Sequence, residues 1–297
     1  MTDRSDLEIA RIHLAASVEP PLRVSCLGSS RGGFQRIAPE LPGHVEVPVT
    51  LRAGELPETD SLAPSFDTGS TWRAYRDGRD VLLVHSLGPS PDRALWAVRL
   101  PADEDRVEVS VGPDLLRRAE GGLVPNPLRY PVDQLLMIHL LPRRDGVLLH
   151  AAGLRREGRA ILFAGRSGAG KSTLTRLALR QDGWDGLSDD RMIIRMVGSE
   201  VLAFGTPWGG TEQIAVNESA PLGALVFLHQ APRNRLLRLE PRQALEQLLP
   251  IASILWFDLD RMTRSLELCE RLLRLLPAYE LHFRDDPSVL KALAELP

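Results

Sequence analysis

Apolar side chains occupy every second position through His44–Leu51 and again near the end of the chain in Ala278–Phe283, the spacing of strands with one buried face. Trp72–Tyr75 and Val81–His85 flank Asp77-Gly78, a two-residue hairpin signal, and predict two paired strands. Ala94–Leu100 and Arg106–Val111 add two more. Residues 1–40 show little pattern and are expected to be loop, apart from a strand at Leu22–Leu27. Residues 113–128, with Gly121-Gly122 and several prolines, read as a connector. From Tyr130 to Leu141 the apolar spacing becomes helical, with Pro131 at the start.

Patterning is denser in the second half. Val147–Leu154 and Ala160–Ala164 are apolar runs joined by a turn at Glu157-Gly158, and predict buried strands. Lys171–Arg180 follows as a helix. Leu187–Val197 and Val201–Phe204 predict strands around Gly198-Ser199, and Ala224–His229 predicts another. Pro241–Leu255 and Asp258–Leu276 are amphipathic, with Asp258 as N-cap of the second, and Pro287 opens a last helix. The pattern gives a β-rich first part, residues 1–130, and an α/β second part, residues 131–297.

Composition narrows the class without choosing a function. The 297 residues are 43% hydrophobic and 25% charged with net charge -3, which predicts a soluble globular protein with no global field for nucleic acid or membrane. No apolar run approaches the ~20 residues of a membrane helix, and no N-terminal leader pattern is seen, so a cytoplasmic location is expected. Cys26 and Cys269 lie too far apart for a metal-type spacing and are read as free thiols. Of 36 basic residues only Lys171 and Lys291 are lysine. Lysine therefore stands where a slim point charge serves better than a planar guanidinium.

Lys171 belongs to Gly165-Arg166-Ser167-Gly168-Ala169-Gly170-Lys171-Ser172-Thr173, which matches the phosphate-binding P-loop at every fixed position, after an apolar run and before a helix. Gly165, Gly168 and Gly170 permit the backbone angles that turn N–H groups toward an anion, and Ser167, Ala169 and Thr173 supply further amides or hydroxyls. The helix start adds partial positive charge. Lys171 neutralises terminal phosphates and the Ser172 hydroxyl joins the shell of Mg²⁺. The motif alone leaves ATPase, GTPase, kinase and regulatory nucleotide sites open.

Two further features bear on chemistry. Asp189-Asp190 opens an apolar segment, where a carboxylate can hold a metal. Adjacent strand residues point to opposite faces unless a bulge or strand end intervenes, and a polar pair leading into a strand is the plain alternative. His150 lies inside an apolar strand, a common place for a core histidine, yet only one hairpin before the loop, where it can tune a carboxylate as base.

Taken together, His150, the glycine-rich loop and Asp189-Asp190 resemble the catalytic domain of HPr kinase/phosphorylase, over roughly residues 140–235. The resemblance implies a P-loop kinase fold of the type shared with phosphoenolpyruvate carboxykinases, preceded here by a smaller β-rich domain. It implies ATP and Mg²⁺ as cofactors and transfer of the γ-phosphoryl group to a hydroxyl, serine in a protein or peptide first. It assigns Asp189 as base, His150 as its helper, Lys171 to the phosphates, and Ser172 and Asp190 to the metal, the two aspartates being exchangeable. Glu212 falls near a further acidic metal residue of the family, and the family's oligomers imply self-association. The arginine-glycine segment of true HPr kinases is absent, Val201–Gly210 standing in its place, and residues 1–130 do not resemble the family's N-terminal domain. A different acceptor is therefore expected, as in related kinases of lasso-peptide precursors. A small-molecule kinase and a non-catalytic nucleotide-binding protein remain the alternatives; ATP against GTP and the reverse reaction stay open.

Overall fold

The computed structural model describes residues 6–25, 33–34, 41–69, 71–88, 94–119, 122–166 and 168–296. Two compact units divide the chain, Met1–Asp133 and Gln134–Pro297. The first holds β1 (Leu7–Ile9), β2 (Ile12–Val18), β3 (Arg23–Val24), β4 (Val45–Ala53), β5 (Pro64–Asp67), β6 (Trp72–Asp77), β7 (Asp80–Ser86), β8 (Ala94–Leu100), β9 (Val107–Val111), α1 (Pro113–Arg118) and β10 (Leu123–Val124). Eight of these strands form one sheet in the order β1-β2-β4-β9-β8-β7-β6-β5, while β10 pairs with β3.

The first forty residues contain more structure than their pattern predicts. β1 and β2 form a hairpin, with Ile9 opposite Ile12, and β2 runs parallel to β4. The turn residues Ala10 and Arg11 have φ of 53° and 60°. Such a two-residue turn normally signals itself with Asn-Gly or Asp-Gly, and here it does not. The strand expected at Leu22–Leu27 is described only at Arg23–Val24; Cys26 and Leu27 lie outside the described residues. The connector at 113–128 carries α1, whose Pro113 fits the first helical turn.

The second part comprises α2 (Val132–Leu140), β11 (Gly146–Arg156), β12 (Arg159–Ala164), α3 (Lys171–Leu179), β13 (Trp184–Ser188), β14 (Arg191–Val197), β15 (Glu200–Phe204), β16 (Ser219–Gln230), β17 (Arg235–Arg238), α4 (Pro241–Leu248), α5 (Leu259–Leu275), β18 (Ala278–Phe283) and α6 (Val289–Leu293). Its mixed sheet runs β12-β11-β14-β15-β16-β18-β17, and β12 also pairs in parallel with β16, so five strands close into a ring. Alternation along the strands builds a core on each side. Ile161, Phe163, Val226, Leu281 and Phe283 pack with Leu174 of α3 and Leu293 of α6. Leu162, Leu225 and Phe227 pack with Leu248 of α4 and Leu272 of α5. Cys269 lies in that second core, and burial pushes its thiol up to about 12.

Three expected elements differ in outline. The helix expected to reach Leu255 ends at Leu248 and passes into a 3-10 turn, Leu249–Ile251, because Pro250 has no N–H to continue the ladder. Ala224–His229 is the later half of a longer strand, β16, whose Pro221 hides its start from a sequence reading. Leu187–Val197 is broken. β13 and β14 both lie along β11, with Ser188 opposite Gly153 and Arg191 opposite His150, and Asp189-Asp190 fall in the gap. Asp258 caps α5 as expected, accepting from the N–H of Arg261 at 3.2 Å. Among the described residues no helix is long and apolar enough to cross a membrane.

Candidate functional site

The site forms where several strand ends meet. β12 delivers the glycine-rich loop to α3, β11 carries His150 beside it, and the break before β14 leaves Asp189-Asp190 outside the strand ladder. The loop's shape depends on its glycines. Gly168 has φ +81° and Gly170 φ +101°. A Cβ on Gly170 would stand 2.5 Å from Cζ of Phe283, and one on Gly165 would stand 2.7 Å from the Cβ of Ala169. Gln230, at the end of β16, donates to the Gly168 carbonyl at 2.9 Å. Ser167 lies outside the described residues.

Lys171 begins α3 and folds back over the loop, donating from Nζ to the Gly165 carbonyl at 2.8 Å. Burial pulls its ammonium below its usual range, while the Asp190 carboxylate works in the opposite direction. A desolvated cation held by carbonyls is set to exchange them for a stronger anionic partner.

His150 and Asp190 form a pair, with Nε2 3.1 Å from Oδ1. That hydrogen bond is the main cause holding the Asp190 carboxyl below its usual range, against burial; Arg191, whose Nε lies 3.3 Å from Oδ2, and Lys171 add to it. His150 and Asp190 line, with Gly168, Lys171, Ser172 and Thr173, a cleft of about 430 Å³.

The other aspartate has a different task. Asp189, 3% exposed, accepts from three main-chain N–H groups: Gly210 at 2.8 Å and Ile214 at 3.1 Å on Oδ1, and Glu212 at 2.6 Å on Oδ2. These fill most of its lone-pair directions and tie the segment after Gly209 to the cleft wall. Gly210 is suited to this contact, since a Cβ there would lie 2.9 Å from the Cβ of Asp190. Asp189, expected as base with the two aspartates exchangeable, is thus held by main-chain donors, while Asp190 is the carboxylate paired with His150. Glu212, expected near the metal, turns its carboxylate to Arg176 on α3, with 3.2 Å between Oε1 and Nε. Gln230 and the Asp189 anchor are the site features missed in the sequence; a glutamine closing an apolar strand carries no motif, and the anchor uses main-chain donors.

Among the described residues, no group of three or more His, Cys, Asp or Glu side chains is arranged to hold a metal ion. A cation here would need oxygen from a bound phosphate beside the Ser172 hydroxyl, oxygen donors that suit Mg²⁺.

Comparison with solved structures finds the HPr(Ser) kinase/phosphatase of Coxiella burnetii at 13% identity and a TM-score of 0.30, covering 50% of this chain and 93% of that one. None of the curated proteins matches the chain. The stretch that carries α2, His150, the glycine-rich loop, the aspartate pair and most of the ringed sheet is also the stretch a family model matches. Residues 132–281 fit the model of ScmC, the SynChlorMet cassette protein ScmC, and the chain belongs to that family.

Proposed function

We propose that this protein is an ATP-dependent phosphotransferase of the HPr-kinase-like type, acting on a hydroxyl acceptor, serine of a protein or peptide first. The observation that carries the reading is the His150–Asp190 pair, 3.1 Å apart, in the same cleft as Lys171 and Ser172. The main-chain amides of Gly165–Gly170 and the start of α3 take the phosphates. Lys171 gives up the Gly165 carbonyl and meets the β- and γ-phosphate oxygens. Ser172 would hold Mg²⁺, which would supply charge neutralisation for the transferring group.

Asp190 takes the proton of the attacking hydroxyl, and His150 keeps the carboxylate ionised and oriented until then. The acceptor oxygen bonds to the γ-phosphorus as the bond to the β–γ bridging oxygen breaks, and ADP leaves. Asp189 positions the Gly210–Ile214 segment against the cleft and does not exchange a proton.

The test is transfer of label from γ-labelled ATP with Mg²⁺ to serine peptides, free serine and sugars. Phosphoserine in peptide supports the reading, and label confined to a small molecule replaces the acceptor class. Nucleotide binding with no labelled acceptor in a cell extract would leave a regulatory nucleotide site.

A further inference from the structure

Two more cavities border the glycine-rich loop. One, about 430 Å³, is lined by Gly170, Thr173, Pro232, Phe283 and Arg284; the Phe283 ring belongs to the core facing α3 and α6. The other, about 530 Å³, is bordered by Gly165, Arg166 and Ala169 and by Phe227, whose ring belongs to the core facing α4 and α5. Gln230 lines both, and the His150–Asp190 cleft as well.

Their chemistry differs. In the phosphotransferase reading Lys171 and Ser172 hold the outer phosphates and their metal, and the nucleoside leaves past Thr173, on the Gly170 and Thr173 side. The 530 Å³ cavity then lies at the far end of the phosphate chain. Its floor is apolar, from Phe227, Leu228, Pro250 and Ile251. Its polar wall is already paired: His229 Nε2 stands 3.2 Å from Oε1 of Gln247, and Gln247 donates to Glu280 at 3.2 Å. Glu246 at its rim pairs with Arg242 at 3.4 Å. The Arg166 guanidinium, exposed at the mouth, has no hydrogen-bond or ion-pair partner among the described residues.

We propose, resting on the phosphotransferase reading, that this cavity docks the acceptor, and that the acceptor is a peptide segment with an apolar side chain beside the accepting hydroxyl and an acidic group facing Arg166. Free serine or a sugar would leave the Phe227–Ile251 floor wet and the Arg166 guanidinium unmatched. An apolar side chain covers the floor, and a carboxylate meets the planar guanidinium.

The experiment uses the full chain, Mg²⁺, γ-labelled ATP and a degenerate library of serine peptides, with free serine alongside. At one flanking position Leu, Ile or Phe is expected to exceed Gly and Asn by roughly tenfold or more, with Asp or Glu selected at another. Glu246→Trp, which plugs the rim, is expected to raise KM for the best peptide by about tenfold while KM for ATP moves less than about twofold. Flat selection across the library overturns the proposal. So does a Glu246→Trp variant in which KM for ATP rises instead, since the cavity would then take the nucleoside, and so does label on free serine alone. An unaltered chain that binds no ATP–Mg²⁺ is a separate result and would sink the phosphotransferase reading itself.

Discussion

Replacing Asp189 by Asn separates its anchoring role from catalysis. The side chain keeps its shape but exchanges one acceptor oxygen for an NH₂ group. If the remaining oxygen keeps Gly210 and Ile214, the NH₂ faces the Glu212 N–H, which now donates at 2.6 Å. One charge-assisted hydrogen bond is lost, about 1.5–3 kcal/mol, and a buried donor is orphaned, about 1–3 kcal/mol. The two surviving bonds also lose their charge. Allowing for overlap, the expected loss is about 3–5 kcal/mol. For a unit of this size that lowers the melting transition by roughly 10 °C.

Asp190→Asn gives the opposite profile. Its partner His150 is 27% exposed and Asp190 35% exposed, so the pair adds about 1 kcal/mol or less to stability. Loss of the proton acceptor is expected to cut transfer by roughly 100-fold or more. Thermal melts followed by circular dichroism, set beside transfer from labelled ATP, read both variants. An Asp189→Asn chain that melts like the wild type yet transfers nothing would refute the anchor and restore Asp189 as base.

Three other outcomes are expected. Lys171→Ala removes the cation that reaches Gly165 O, and ATP–Mg²⁺ affinity by calorimetry should fall roughly 30-fold to 100-fold; an unchanged Kd would remove Lys171 from phosphate binding. Gly170→Ala forces a Cβ to within 2.5 Å of buried Phe283 at φ +101°, so it should cost about 2–4 kcal/mol and weaken nucleotide binding, both read from melts with and without ATP–Mg²⁺. The Asp190 carboxyl is held below its ordinary 3.8, so its share of stability is complete above 3.8 and lost as the pH falls through the lowered value. Urea midpoints of wild type and Asp190→Asn should therefore converge under acid conditions, and a constant gap would contradict the pairing.

Legibility in the sequence followed the range of the interactions. The continuous apolar runs of β11 and β12 and the alternation of β18 were readable because both patterns are local, as was the loop, whose chemistry is written in adjacent residues. The β1–β2 hairpin was not, because Ala10 and Arg11 adopt positive φ without a glycine. The edge strand β17 was missed because its Arg235 and Arg238 look like loop. In the site, the Asp189-Asp190 motif located both carboxylates but could not divide their labour. The division proposed for them rests on which carboxylate meets the N–H groups of 210, 212 and 214, more than twenty residues away in sequence.

Sealed among Leu268 and Leu272, the Cys269 sulfur is kept protonated and out of reach, its pKa raised to about 12. The same seclusion makes it a clock. With Cys26 changed to Ser, a thiol-specific reagent can mark a molecule only while α5 stands away from the sheet, so the labelling rate counts openings of this unit one by one.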